Sequence, residues 1–100
     1  MAKPNVELAL QNEFLRAARE CIGLGYNPTG FLQLLGERGP VATAIHLVMG
    51  NYEGFDRLWQ LRRLDLSVEA IILQEPYRSL FPFEVMERAH RKLKEVGFLA

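Results

Sequence analysis

Residues 62–73 read RRLDLSVEAIIL, and this stretch decides the fold. Its basic start, Arg62 and Arg63, opposes the negative carboxyl end of a preceding helix. Asp65 or Ser67 then offers a side-chain oxygen as the N-cap of the next helix, and Glu69 lies in the first turn, where negative charge is favourable. The stretch therefore predicts a corner between two helices, similar to a helix-turn-helix.

Apolar residues recur at helical spacing on both sides of this corner. The first helix carries a stripe at spacings of three and four, formed by Val6, Leu10, Phe14, Ala17, Cys21 and Leu24. Glycine and proline then separate a short second helix from a nearly all-apolar third helix at 40–49, and Pro82 and Gly97 bound the last helix. We expect an all-α fold: one compact single-domain bundle, residues 1–100, of five or six short helices around a buried third helix.

Composition narrows the class of protein further. The chain has 100 residues, of which 49% are hydrophobic and 24% charged, as in ordinary globular domains. Twelve basic and twelve acidic residues cancel, so no whole-molecule field attracts nucleic acid or anionic membrane. Cys21 has no internal disulfide partner, and we find neither a secretion signal nor an apolar run near the roughly 20 residues that span a bilayer. We expect a soluble cytoplasmic protein without membrane contact.

Few side chains suit catalysis. The candidate nucleophiles and bases are His46, His90, Cys21, Ser67 and Ser79, and none has a glycine elbow or a recognisable partner. His46 fits a core or boundary histidine, and Cys21 fits a small hydrophobe on its helical stripe. One cysteine and two distant histidines give no zinc pattern, and the scattered glycines give no phosphate-binding loop. We therefore predict no catalytic residue, no metal, no cofactor and no enzyme activity.

The aromatic content favours an interaction module. Ten aromatic residues and a nearly all-apolar third helix provide more hydrophobic side chains than a core of this size needs. Phe55 and Trp59 lie on a helical stripe, which predicts a place in the core. Other aromatics fall in or after an irregular connector, where an exposed role is equally consistent with the pattern. We predict a protein partner, possibly a second copy in a homodimer, bound by Tyr77, Phe81, Phe83, Arg62 and Arg63.

The alternative is DNA or RNA binding by a local basic surface. Arginines cluster near the corner, and the last helix carries Arg88, Arg91, Lys92 and Lys94. Neighbouring glutamates dilute this charge, and the helix after the corner would bring Glu69 toward the bases. Nucleic acid therefore ranks below protein as the expected partner.

Three stretches carry a resemblance to known proteins. Residues 25–29 (GYNPT), 54–59 (GFDRLW) and 63–70 (RLDLSVEA) resemble stretches of short bacterial helical proteins without an established activity. The LDLSVEA run at 64–70 is the most specific part, and the resemblance spans about the last three quarters of the chain. It implies a bacterial source and leaves the function open.

Overall fold

A computed structural model describes residues 5–99, and its regular structure there is entirely helical. The five α-helices are α1 Val6–Gly23, α2 Thr29–Met49, α3 Glu53–Gln60, α4 Val68–Ile72 and α5 Phe83–Glu95. Two 3-10 turns, Leu64–Leu66 and Tyr77–Leu80, lie before α4 and α5. The predicted all-α bundle is confirmed. None of the helices within 5–99 is both long and apolar enough to cross a membrane.

The predicted second and third helices are the two halves of α2. The helix bends at Gly39, whose φ of 80° and ψ of 173° belong to a region that is essentially restricted to glycine. Pro40 follows and suits the first turn of the second half. Leu47 and Val48 are buried in this half, whereas His46 is exposed. The central helix thus packs by one face, and His46 lies on the other face instead of in the core.

The remaining helices pack around this centre. The long helix α2 contacts α4 and α5, while α1 packs on α2 and on both 3-10 turns. Leu10 and Phe14 of α1 and Ala89 and Leu93 of α5 are completely buried, as their helical spacing predicts. Every residue of α4 is buried, so this shortest helix runs through the interior.

The corner at 62–73 is closed by Ser67. Its hydroxyl accepts a hydrogen bond from the Ala70 backbone N–H at 3.1 Å and donates to the Leu64 carbonyl at 2.6 Å. Asp65, the other predicted cap, instead bonds to Arg63 in an exposed ion pair. The serine cap is therefore confirmed, and the first 3-10 turn fills the gap before α4.

Two charged residues lie in the core, although sequence analysis placed one of them, Lys92, on a basic surface. Glu69 is 0% exposed and Lys92 is 9% exposed, and Lys92 Nζ lies 2.7 Å from Glu69 Oε2. The same ammonium also donates to the carbonyls of Gly50 at 3.0 Å and Val48 at 3.3 Å. Carbonyls at the end of a helix lack intrahelical partners, so Lys92 caps the end of α2.

Tyr52 completes this group, which we call the Lys92 cluster (Tyr52, Glu69 and Lys92). The Tyr52 hydroxyl donates to the second carboxylate oxygen of Glu69. Burial, reinforced by the Glu69 charge, raises the pKa of Tyr52 well above its ordinary value, so the phenol stays a neutral donor. The Lys92 ammonium also lies 5.1 Å from the ring centroids of Tyr52 and Phe55. The cluster ties the end of α2 and the start of α3 to α4 and α5.

Removal of Glu69 tests how strongly the Lys92 cluster stabilises the fold. Glu69→Ala leaves the Lys92 ammonium buried without its counter-charge and removes the acceptor of Tyr52. We expect the free energy of unfolding to fall by about 3–5 kcal/mol. Urea denaturation followed by far-ultraviolet circular dichroism measures this change.

The exposed pair of Arg16 and Glu13 provides the matched control. Arg16→Ala is expected to cost about 0.5 kcal/mol or less, because water screens exposed ion pairs. The double variant Glu69→Leu with Lys92→Met should recover much of the loss, since no buried charge remains. A cost for Glu69→Ala as small as that for Arg16→Ala would contradict this role of the cluster.

Candidate functional site

A surface groove, here called the Tyr26 groove, lies between α1, the first half of α2 and the start of α3. Its volume is about 710 Å³, within the range of about 300–1,000 Å³ that is typical of ligand sites. Aromatic and aliphatic side chains form its floor, among them Phe14, Phe31 and Leu34, and polar side chains such as Gln33 stand at its edge. The groove therefore combines an apolar interior with a polar rim.

Tyr26 reaches the groove because of how α1 ends. Gly25 adopts a left-handed conformation with φ 88°. Its N–H donates to the Ile22 carbonyl at 3.0 Å, and the N–H of Tyr26 donates to the Cys21 carbonyl at 2.9 Å. These two bonds define a Schellman motif, in which glycine favours the left-handed position. The motif reverses the chain and directs the next residue, Tyr26, onto the groove wall.

The Tyr26 ring packs closely against the start of α3. A Cβ atom added to Gly54 would lie 2.7 Å from the Tyr26 hydroxyl oxygen, so the absent side chain permits this approach. The guanidinium of Arg57 lies 5.3 Å from the centroid of the Tyr26 ring. Burial also raises the pKa of the Tyr26 phenol. Contacts from a single helix turn of α3 thus fix the ring at the groove.

The three stretches singled out in the sequence meet at the Tyr26 groove. Tyr26 comes from the first stretch, Leu58 from the second and Val68 from the third, and all three side chains line the groove. Cys21 lies in the same wall, where burial raises the pKa of its thiol. A buried thiol with a raised pKa is a poor nucleophile, which agrees with the prediction of a small hydrophobe.

A second groove, here called the Trp59 groove, lies between the end of α3 and the end of α5. Its volume is about 680 Å³, and it is lined by Trp59, Gln60, Arg62, Leu64, Val96, Gly97 and Phe98. Trp59 is 52% exposed and Phe98 is 42% exposed. The predicted core position of Trp59 is therefore wrong: α3 buries Phe55 and Leu58 and leaves the indole at the groove.

Both helices at the Trp59 groove end in Schellman motifs. In α5 the N–H of Phe98 donates to the Leu93 carbonyl at 3.0 Å, and Gly97 occupies the left-handed position with φ 79°. In α3 the N–H of Arg63 donates to the Leu58 carbonyl at 2.8 Å, and that of Arg62 donates to the Trp59 carbonyl at 3.0 Å.

The two motifs differ in the residue at the left-handed position. Arg62 takes this position in α3, with φ 58°, and it is the one non-glycine residue with positive φ within 5–99. Glycine fills the corresponding position after α1 and α5, as Gly25 and Gly97. For residues with a Cβ atom this conformation costs about 1–2 kcal/mol. An arginine backbone is therefore strained at the edge of the groove.

The five predicted partner-binding residues do not line a common groove. Arg62 lines the Trp59 groove, and Phe83 is 79% exposed but lies outside both grooves. Tyr77 is half-buried against the core, and Arg63 is held by Asp65. Phe81 is only 8% exposed, and its side chain packs in the core.

The predicted basic surface on the last helix is smaller than expected. Lys92 is buried, Arg88 donates to the Val48 carbonyl at 3.4 Å, and Arg91 pairs with Glu87 at 2.7 Å. His46 and His90 are exposed on different helices. The described part of the chain contains no group of three or more potential metal ligands from His, Cys, Asp and Glu.

Comparison with protein-family models, with curated proteins and with solved structures found no match.

Glycine substitution tests the strain at Arg62. Arg62→Gly relieves the left-handed Cβ clash, and we expect the free energy of unfolding to rise by about 0.5–1 kcal/mol after the entropy cost of glycine. Gly25→Ala and Gly97→Ala introduce the same clash and should each lower stability by about 1 kcal/mol. Urea denaturation of the three variants measures both effects. A loss of stability in Arg62→Gly would show that the backbone there is not strained.

Proposed function

We propose that this protein is a non-enzymatic interaction module that binds another protein, or a second copy of itself, through the Trp59 groove. The observation that carries this proposal is the strained Arg62 at a groove whose walls include the half-exposed rings of Trp59 and Phe98. Glycine would suit the backbone better at this position. The left-handed backbone conformation costs stability when an arginine adopts it, and this cost supports a role for the Arg62 side chain in binding.

The chemistry of the Trp59 groove suits a protein interface. Tryptophan and arginine are enriched among the residues that dominate binding energies, and aromatic rings bury a large area with little loss of rotamer freedom. Leu64 and Val96 also line this groove and add to its apolar character. The buried free thiol of Cys21 supports the reducing cytosol as the place of action.

Self-association is the first test of this proposal. If the partner is a second copy, sedimentation equilibrium of the purified protein shows a dimer, and Trp59→Ala weakens it about thirtyfold or more, as for a central interface residue. Phe83→Ala is the control, because Phe83 is 79% exposed but lies outside both grooves.

If the protein is monomeric, a photocrosslinker at the exposed Gln60 should capture a defined partner, and Trp59→Ala should abolish capture. Association that responds equally to Trp59→Ala and Phe83→Ala would contradict the proposal.

Arg62→Gly separates binding from folding in the same experiments. A protein that merely tolerates this arginine gains stability on substitution and keeps its partner. A protein that uses the side chain gains stability and loses affinity, which is the trade-off expected at a functional position. We expect the second result, and retained affinity in a stabilised Arg62→Gly variant would contradict a role for the guanidinium.

Nucleic-acid binding is a second candidate, favoured by one feature of the same groove. Two half-exposed aromatic rings beside an arginine suit the stacking of unpaired bases. Buried Lys92 and paired Arg91 leave little basic surface for phosphates. The double variant Arg62→Ala with Arg63→Ala distinguishes the two functions. If nucleic acid is the partner, the unchanged protein should bind single-stranded DNA at low salt and the double variant should lose this affinity. Protein association by an unchanged protein that does not bind single-stranded DNA would favour the first proposal.

A further inference from the structure

The rim of the Tyr26 groove carries negative charge. Glu37 and Glu53 are both exposed and line the groove, and its lining includes no lysine and no arginine. The side-chain amide of Gln33 donates to Glu37 Oε1 at 3.1 Å, which orients this carboxylate. Arg57 contacts the Tyr26 ring but is not part of the lining. The lining of the groove therefore presents two carboxylates and no basic side chain.

The interior of the Tyr26 groove is apolar and fixed by several helices. Phe14 of α1 and Phe31 of α2 pack edge to face with ring centroids 5.4 Å apart. Tyr26 is fixed by its contacts with Gly54 and Arg57. Walls built by packed helices need little reordering when an occupant enters, which favours affinity. The groove can thus accept apolar side chains.

We propose that the Tyr26 groove binds a short segment of a partner protein whose apolar side chains enter the groove and whose lysine or arginine side chains reach Glu37 and Glu53. A protein segment fits because the groove is partly open to solvent and its apolar lining is accompanied by two exposed carboxylates. This site is separate from the Trp59 groove, whose one charged lining residue is Arg62. The two grooves therefore select segments of opposite charge.

A defined peptide pair tests the charge preference. The probe is a fluorescein-labelled amphipathic peptide of leucine and lysine, about 14 residues long, or roughly four helical turns. A matched peptide carries glutamate in place of each lysine. Fluorescence anisotropy at low ionic strength should show binding of the lysine peptide and none of the glutamate peptide, because the rim carboxylates repel the latter. Absence of lysine-peptide binding, or equal binding of the two peptides, overturns the proposal.

Charge-matched variants locate the binding site. Glu37→Gln with Glu53→Gln should weaken lysine-peptide binding by about threefold to tenfold, as expected for two exposed ion pairs. Glu84→Gln with Glu95→Gln makes the same change in net charge at exposed positions outside the groove and should have a smaller effect. Equal weakening by the two double variants means nonspecific attraction and overturns the proposal.

Two further outcomes separate this inference from neighbouring explanations. Trp59→Ala should leave lysine-peptide binding unchanged. The test of the Tyr26 groove therefore stays valid even if the proposed binding at the Trp59 groove proves wrong. A second copy that inserts its Arg62 region into the Tyr26 groove would instead give an open head-to-tail assembly. Concentration-dependent polymers that dissolve in the Glu37→Gln, Glu53→Gln variant would assign the groove to a second copy and overturn the proposal of a distinct partner segment.

Discussion

The ammonium of Lys92 lies where four helices meet, and the positions of both grooves depend on it. A buried lysine loses its hydration, and this cost is offset only when its donors find acceptors. Here the acceptors are the Glu69 carboxylate and the carbonyls of Val48 and Gly50 at the end of α2. Those carbonyls have no partner within the helix. The Lys92 side chain therefore pairs its own charge with Glu69 and also donates hydrogen bonds to the carbonyls at the end of the central helix.

The Lys92 cluster links directly to the two surfaces. Tyr52 bonds to Glu69 and also lines the Tyr26 groove, and α3 begins one residue later. The start of α3 carries Gly54, which admits the Tyr26 ring, and its end carries Trp59. On the other side, α5 continues from Lys92 to Glu95, and Gly97 and Phe98 follow its end. Rigid placement of α3 and α5 by one ion pair therefore shapes both grooves.

Sequence patterns predicted the helices well because their spacing and caps are local. The stripe through Phe14, the Ser67 cap and the stop at Gly97 all follow from residues within one or two helical turns. Sequence analysis placed Lys92 on a basic surface and Glu69 in the first turn of a helix, and it predicted burial of neither, because charged residues are rarely buried without a partner. Their positions carried a signal: Glu69 lies inside an apolar run, and Lys92 follows Ala89 by three residues on the apolar stripe of α5.

The candidate sites were harder to predict, since they depend on which elements cover which faces. Helical spacing placed Trp59 on an apolar face, but no neighbouring helix covers it, so the indole is half-exposed. Phe81 follows an irregular turn, where periodicity says nothing about burial, and it packs into the core. Arg62 was identified from its charge, although its left-handed backbone was not foreseen. The Tyr26 groove combines residues from three distant stretches, a grouping that only tertiary packing creates.

The most direct test of the central role of Lys92 is nitrogen-15 NMR of the lysine ammonium groups at neutral pH. An ammonium held by Glu69 and two helix-end carbonyls is shielded from water, so its hydrogens exchange slowly. We predict a protected Lys92 signal that is missing in Lys92→Met, while the exposed Lys94 ammonium exchanges too fast to give one. Hydrogen exchange at Lys92 as fast as at Lys94 would contradict the account, because the ion pair would then be open to solvent.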